Sequence, residues 1–365
     1  MNVGIATGDG RRRTLTETRL LWLTLGSTLV WGSGGHVDAR YHFHYGFEIE
    51  SFFTWPHAML YGGWAATGSV VAAYLLEGLR RGTLRRAWLP PGYRLVLLGF
   101  ALFGLGGALD WGWHMLFGFE ANLETLVAPS HLWLVVSFLI AVLGLLQAAL
   151  VQRAKEETSG NRLRLIDLPV LLSLGVLFRS LLWNFFYSDP LAIDYASHGA
   201  LADRLPGYGG IAWENLAAQA AGTSGIVLHS IILALFLVSS LHQLRLPGGA
   251  IAIMMLWDNL LVAVATDMWL YLPAAAGAAF VGEVIWALIR HGRLGGADRA
   301  AGYRVLAFTV PTVQWFLYFA LMEALGGGIA WTTHLWAGAA VMGGFYGLAI
   351  SLFVVPPRFL RAPIT

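Results

Sequence analysis

The sequence predicts an all-α polytopic membrane protein, on two observations. Hydrophobic residues make up 57% of the 365 residues and charged residues only 12%, which is about half the charged share of a soluble domain. Apolar runs of about 20 residues, the length that crosses a bilayer as a helix, recur along the whole chain. Together they predict one membrane domain, residues 1–365, that lies in the lipid bilayer without a soluble domain or a linker.

Ten apolar runs predict ten membrane helices. They lie at 17–37, 56–78, 93–116, 129–152, 167–187, 222–244, 249–271, 273–290, 303–326 and 331–356. The first run follows Arg11, Arg12 and Arg13, as the apolar part of a signal peptide would. Because no small-residue cleavage site follows it cleanly, we interpret it as a retained first helix.

Positive charge predicts the orientation of these helices. Of the 23 Lys and Arg residues, all except Arg40, Arg179 and Arg204 fall on one side of the predicted arrangement. Cytoplasmic loops carry the excess of Lys and Arg. We therefore expect a multi-pass protein of the cell (inner) membrane with both termini in the cytoplasm and with the segments 38–55, 117–128, 188–221 and 327–330 on the outer face. The basic residues are dispersed, so no nucleic-acid partner is expected.

A four-residue motif occurs twice, in register, at that outer face. Each copy has an Asp, a His four residues later, a Gly-Phe-Glu and a closing Pro-His or Pro-x-His. The four motif positions are Asp38, His42, Glu48 and His57 in the first copy, and Asp110, His114, Glu120 and His131 in the second. Asp and His four apart share one face of a helix, and a His from the next helix completes a three-ligand metal site with an open position.

The motif therefore predicts two metal sites. Their ligands are Asp38, His42 and His57 (the first set) and Asp110, His114 and His131 (the second set). The chain contains no Cys, which leaves metal binding to His, Asp and Glu.

The two Glu of the motif are candidate catalytic groups that handle protons. Glu48 and Glu120 occupy matching positions, and they could bridge metals, orient a ligand His or be ordinary solvated acids of an outer loop. Further residues could be extra ligands or supporting groups around the ligands. They are Glu50, Glu124, His44, His36, His334 and Glu323.

Each copy begins at the outer end of one helix and closes at the start of the next, which predicts outward-pointing helical hairpins. Residues 17–78 form hairpin repeat 1 and residues 93–152 form hairpin repeat 2, each with the metal motif. Residues 303–356 read as a degenerate copy, in which Glu323 precedes His334 by the same interval that separates Glu120 from His131. Residues 167–244 read as a further degenerate relative. Its long connection, 188–221, is interpreted as a soluble lid or docking surface.

Two opposite charges fall inside predicted helices. Arg179 lies in the fifth and Asp258 in the seventh. Because a charge at membrane depth needs a partner, we expect these two residues to pair inside the bundle. A proton path is the alternative interpretation.

At these residues the chain resembles the C subunit of the copper membrane monooxygenases, the particulate methane and ammonia monooxygenase family. That subunit carries an Asp-x3-His with a later Thr-Pro-Ser-His, and an Asn-x3-His with an acidic residue at +10 and an Ala-Pro-x-His. Asp38, His42 and His57 (in T-W-P-H) match the first pattern. The second pattern is matched by Asp110, His114, Glu120 and His131 (in A-P-S-H). The resemblance covers residues 38–131.

The resemblance implies copper held by these residues and oxidation of a small apolar substrate by O2. It also implies partners, namely further membrane subunits or subunits with cupredoxin domains. The sequence departs from the pattern at Asp110, where the family has Asn, so that both sites are anionic. Carboxylate-rich surroundings also suit iron, and a di-iron centre is the alternative cofactor. The alternative function is a membrane subunit that binds, supplies or transports metal without redox chemistry.

Overall fold

The computed structural model describes residues 15–45, 54–82, 89–118, 120, 123–156, 163–197, 213–296 and 299–357. This part of the chain is all-α. Its helices are α1 (Glu17–Tyr45), α2 (Trp55–Arg80), α3 (Tyr93–Phe117), α4 (Glu124–Val127), α5 (Pro129–Lys155), α6 (Leu168–Trp183), α7 (Trp213–Leu244), α8 (Ala250–Thr266), α9 (Leu272–Arg290), α10 (Ala300–Leu325) and α11 (Thr333–Val354).

Each of the ten predicted membrane helices corresponds to one long helix, and α4 is an additional short one. Within the described residues, eight of the long helices are long and apolar enough to cross a membrane. The other two are α1, whose second half carries the polar residues of the first motif copy, and α8. At 17 residues and 1.5 Å per residue, α8 spans about 26 Å, slightly less than the hydrocarbon core.

The structure corrects the predicted ends of three helices. The first helix does not end at residue 37 but continues to Tyr45, so Asp38 and His42 lie on a helix and not in an outer loop. The seventh predicted helix, 249–271, corresponds to α8 and ends at Thr266, because Asp267 adopts a left-handed conformation with φ +61°. The fifth predicted helix, 167–187, corresponds to α6 and ends at Trp183.

Local sequence explains where the site helices begin and end. Pro56 and Pro129 stand in the first turns of α2 and α5, where the missing N–H costs nothing. The Thr54 side chain caps α2 by accepting the N–H of His57. Gly118, with φ +82°, ends α3 in a conformation that side chains with a Cβ rarely adopt.

The helix hairpins of the two motif copies are tightly packed. Helix α1 lies against α2, and α3 against α5. The first contact depends on Gly34 and Gly63, since a Cβ at either position would lie within 2.6 Å of backbone atoms of Leu60 or Trp31. Small residues bring membrane helices together in this way. Helix α1 also packs against α5, α6 and α8 and so joins the motif hairpins to the rest of the bundle.

The remaining helices form a second packed group. Helix α10 packs against α9 and α11, and α7 packs against α11 and α10. Helix α6 packs mainly against α5 and α8. The N-terminus of α8 is capped from α9 by Glu283, whose carboxylate accepts the N–H groups of Gly249, Ile251 and Ala252 at 2.8, 2.7 and 3.2 Å. These N–H groups lack partners within their own helix. The division of the chain into four hairpin repeats stays a prediction.

The described start of the 188–221 connection is folded into the protein, so the expectation of a soluble lid or docking surface is wrong for this part. Asp189, Leu191, Ala192, Asp194 and Ala196 are all buried. Tyr271 donates a hydrogen bond to Asp194 at 2.5 Å, and the backbone N–H of Leu191 donates one to Asp189 at 3.1 Å. Residues 198–212 lie outside the described part of the chain.

Candidate metal centre

The first set is assembled by α1 and the first turn of α2. Nε2 of His42, one helical turn after Asp38, lies 3.5 Å from Asp38 Oδ2. Nε2 of His57 approaches the same oxygen to 3.4 Å. The structure therefore brings the three predicted ligands together around one carboxylate oxygen.

The second set is assembled in the same way by α3 and α5. Nε2 of His114 lies 3.6 Å from Asp110 Oδ2, and Nε2 of His131 lies 3.1 Å from Asp110 Oδ1. One ligand atom from each residue can be chosen so that all three lie within 4.8 Å of one another. Among the described residues, no other group of three or more His, Cys, Asp or Glu meets this criterion.

These separations suit a metal ion. Ligand atoms about 2.1 Å from a common ion in tetrahedral geometry are about 3.4 Å apart, and the carboxylate–imidazole separations are 3.1 to 3.6 Å. Two buried carboxylate oxygens, Asp38 Oδ1 and Glu120 Oε1, accept no hydrogen bond from the described residues. Buried carboxylates with spare acceptor capacity are suited to a cation. The second set fits a bound transition-metal ion, and in the first set the two carboxylate–imidazole separations are compatible with one.

Neighbouring groups orient both histidines of the second set. His131 Nδ1 lies 2.5 Å from the carbonyl oxygen of Thr125, and His114 Nδ1 lies 3.1 Å from Glu120 Oε2. A proton on each Nδ1 satisfies these acceptors and leaves each Nε2 as the metal ligand. Such outer hydrogen bonds are typical of metal-binding histidines. Glu120 thus orients a ligand histidine, which is one of the roles that the sequence predicts for it.

Both sets line one cavity, which we call the motif cavity. Its volume is about 160 Å³. Its polar lining includes Asp38 and His57 from the first set and Asp110 and His131 from the second. Apolar side chains from α1, α3 and α5 form much of the remaining wall, namely Trp31, Phe103, Leu134, Val135 and Phe138. The arrangement combines charged ligands with a largely apolar chamber.

A larger groove of about 570 Å³ lies between α2 and α3. It is lined mainly by apolar and aromatic residues, among them Trp64 and Trp111, and it shares His57 and Tyr61 with the motif cavity. Tyr61 therefore stands between the two spaces. The sequence contains a signal for this residue, because Tyr61 follows His57 by four positions and so lies on the same helix face.

The other candidate residues have different surroundings. Glu48 and Glu50 lie outside the described residues. Glu124 is exposed at the start of α4. His44 lies beside Asp267, with 3.0 Å between Nε2 and Oδ2, and His36 is buried and lines the motif cavity.

The degenerate copy does not contribute to this cavity. Glu323 is exposed and accepts the backbone N–H of Ile329 at 3.0 Å. His334 is exposed in the first turn of α11. Neither residue is part of the cavity wall.

The expected pair inside the bundle is present, and it is part of a larger cluster. Arg179 Nη1 lies 3.3 Å from Asp258 Oδ1 and also 3.3 Å from Asp189 Oδ2. His229 Nδ1 lies 3.5 Å from Asp189 Oδ1. Sequence reasoning missed Asp189, because a residue that follows a helix gives no local sign that its loop folds inward.

No family model, curated protein or solved structure matches this chain. The relation to the copper membrane monooxygenases stays a prediction that depends on the motif residues themselves.

Proposed function

We propose that the protein is a membrane metalloprotein that binds copper at its two Asp–His–His sets and oxidises a small apolar molecule with O2 in the motif cavity. The observation that carries this proposal is the second set, whose three ligands are gathered and whose histidines are already oriented. Copper, when bound, would supply the redox chemistry and a coordination position for O2. His–carboxylate ligation is compatible with this metal.

The residues of the chain have separate roles in this proposal. Asp38, His42 and His57 hold one ion, and the second set holds another. Glu120 orients His114 from 3.1 Å and is a carboxylate outside the two sets that could take up a proton. The aromatic and aliphatic wall of the cavity excludes water and accommodates an apolar substrate. Electrons would come from further membrane subunits or from a cupredoxin subunit, and the sites would face the outer side of the cell membrane.

Metal analysis of the purified full-length protein tests the binding part of this proposal. We expect two copper ions per chain. We expect one ion to be lost in His42→Ala and one in His114→Ala, because losing even an outer hydrogen bond to a ligand costs about 10- to 100-fold in affinity and losing a ligand costs more. His334→Ala, at an exposed position, is the matched control and should keep both ions. Unchanged metal content in both ligand variants would refute the two-site proposal.

Asp110→Asn distinguishes copper from iron, since it restores the residue found in the resembling family. A copper site should keep its metal, because the Asn amide oxygen or the two remaining histidines can still hold it. A carboxylate-bridged di-iron centre should lose its metal. Both sets line the same cavity. A di-iron centre would require that the two sets bind the same pair of ions. Stoichiometric iron in the parent protein, lost in Asp110→Asn, would rule out copper.

Oxidation of an apolar probe separates an enzyme from a subunit that only supplies or transports metal. Copper-loaded protein, with a chemical reductant and O2, should convert a short alkane or alkene to its oxygenated product. The reaction should fail in His114→Ala and persist in His334→Ala. Full metal loading without any O2 consumption would favour the metal-supply alternative.

A further inference from the structure

The buried ionic cluster of Arg179, Asp189, Asp258 and His229 lies away from both metal sets, and the proposed metal chemistry does not use it. Its residues come from α6, the following loop, α8 and α7. Each side chain is at most 2% exposed. Ionisable groups in the interior of a membrane bundle are costly and are usually functional.

The cluster holds two carboxylates around one permanent positive charge. Arg179 carries that charge and lies 3.3 Å from each of the two carboxylates. His229 Nδ1 lies 3.5 Å from Asp189 Oδ1, and its Nε2 lies 3.4 Å from Nε2 of Gln314. Two buried carboxylates that share one guanidinium favour retention of a proton by one of them.

The two carboxylates differ in how well their charge is stabilised. Asp189 accepts a hydrogen bond from the Leu191 N–H at 3.1 Å, in addition to its contacts with Arg179 and His229. Asp258 is fully buried, and its Oδ1 accepts no hydrogen bond from the described residues. Its Oδ2 has one long contact, 3.4 Å from Asn259 Nδ2. Besides its ion pair with Arg179, Asp258 therefore has fewer donors than Asp189, and burial with few donors favours the neutral acid.

The charged groups Glu283 and Asp267 on the neighbouring elements have hydrogen-bond or ion-pair partners outside the cluster. Glu283 of α9 binds the N-terminal N–H groups of α8. At the opposite end of α8, Asp267 pairs with Arg40 and His44 of α1. The titratable group of α1 nearest the cluster is His36, which is buried beside Trp183. Arg179, Asp189 and His229 therefore define the electrostatic surroundings of Asp258.

We propose that this cluster is a proton-binding site in the interior of the bundle and that Asp258 carries the proton. The step is a simple exchange, in which the Asp258 acid releases its proton and becomes a carboxylate paired with Arg179.

The site lies next to the motif cavity. A cavity of about 10 Å³, room for about one water molecule, is lined by Arg179, Trp257, His36 and Ser180. His36 and Ser180 also line the motif cavity. Arg179 Nε and Nη2 and Trp257 Nε1 have no hydrogen-bond partner among the described residues. Arg179, the ion-pair partner of Asp258, thus lines a small cavity that shares residues with the proposed reaction chamber. The role of supplying protons there depends on the proposed function, whereas proton binding itself does not.

Infrared spectroscopy of the full-length protein in lipid nanodiscs, without added metal, tests the site. At pH 7 we expect the C=O stretching band of a protonated carboxylic acid, shifted by labelling with [4-¹³C]aspartate. Because the sample needs no metal, a negative metal analysis would leave this result intact. Absence of an Asp-derived acid band in the parent protein would overturn the proposal.

Variants test which residue carries the proton. Asp258→Asn removes the acid, so the band should disappear, and the exposed Asp267→Asn should retain it. His229→Gln keeps both carboxylates, so a band from Asp258 should remain. A band that persists in Asp258→Asn, or that disappears in His229→Gln, would place the proton elsewhere and refute the assignment to Asp258.

Discussion

The two motif copies have the same sequence pattern, yet the structure holds their ligands differently. Helix α1 is described as far as Tyr45 and α3 ends at Phe117, each three positions after the motif His. In the first set both histidines approach one oxygen of Asp38, whose side chain is 20% exposed. In the second set the histidines approach different oxygens of Asp110, whose side chain is 6% exposed.

In the second copy, the connection between the two helices supplies groups that orient the histidines. This copy is two residues longer between its Glu and its last His, and its connection contains α4. Thr125 of α4 offers the carbonyl that orients His131, and Glu120 orients His114. The comparison teaches that a repeated ligand pattern determines which residues meet, whereas the burial of the carboxylate and the oxygens that the histidines approach differ between the copies.

The largest expected effect separates the affinities of the two sets. Because the carboxylate of the second set is more enclosed, we expect copper to bind in two steps and the second set to be the tighter site. His131→Ala should remove the tight step, and His57→Ala should remove only the weak one. Calorimetric titration of the metal-free protein measures both. Loss of the tight step in His57→Ala would reverse the comparison.

A smaller effect is expected from the residue that orients His114. Glu120→Gln keeps the shape but weakens a charged hydrogen bond, so affinity at the second set should fall by about 10- to 100-fold. Glu124→Gln changes an exposed acid of α4 and should leave both binding steps unchanged. Equal affinities in Glu120→Gln and in the parent would show that the 3.1 Å contact with His114 does not support the ligand.

The smallest effect concerns the end of α1, where the first set lies. The hydrogen bond from Arg40 lowers the pKa of the Asp267 carboxyl. A lowered pKa means that the pair stabilises the fold above the ordinary Asp value of roughly 4 and that this contribution is lost as the pH falls below it. Because both side chains are about 40% exposed, Asp267→Asn should cost less than about 1 kcal/mol.

Asn is well suited to the left-handed backbone of residue 267, so Asp267→Asn isolates the charge. We expect it to weaken copper binding at the first set slightly and not at the second, since Arg40 and His44 belong only to the first copy. Thermal unfolding at pH 7 and at pH 3 measures the stability change, which should be larger at pH 7 than at pH 3. A change of binding at the second set would contradict this separation.

Much of the architecture follows from local sequence. Runs of apolar residues set the ten long helices, and Pro56, Pro129 and Gly118 mark ends of the site helices. The grouping of Asp110 with His114 follows from the period of the helix, which places residues four apart on one face. These features depend on neighbours within a few positions, so a single sequence contains them.

Tertiary packing decided the rest. It joined the two sets at one cavity, placed Tyr61 at its edge and brought Asp189 to Arg179 and His229. It also put Glu323 and His334 outside the cavity wall, although their spacing repeats that of the motif. These outcomes depend on how α1 packs against α5, α6 and α8. Contacts between residues so far apart in the chain are selected by the shape and polarity of whole helix faces, which no local pattern encodes.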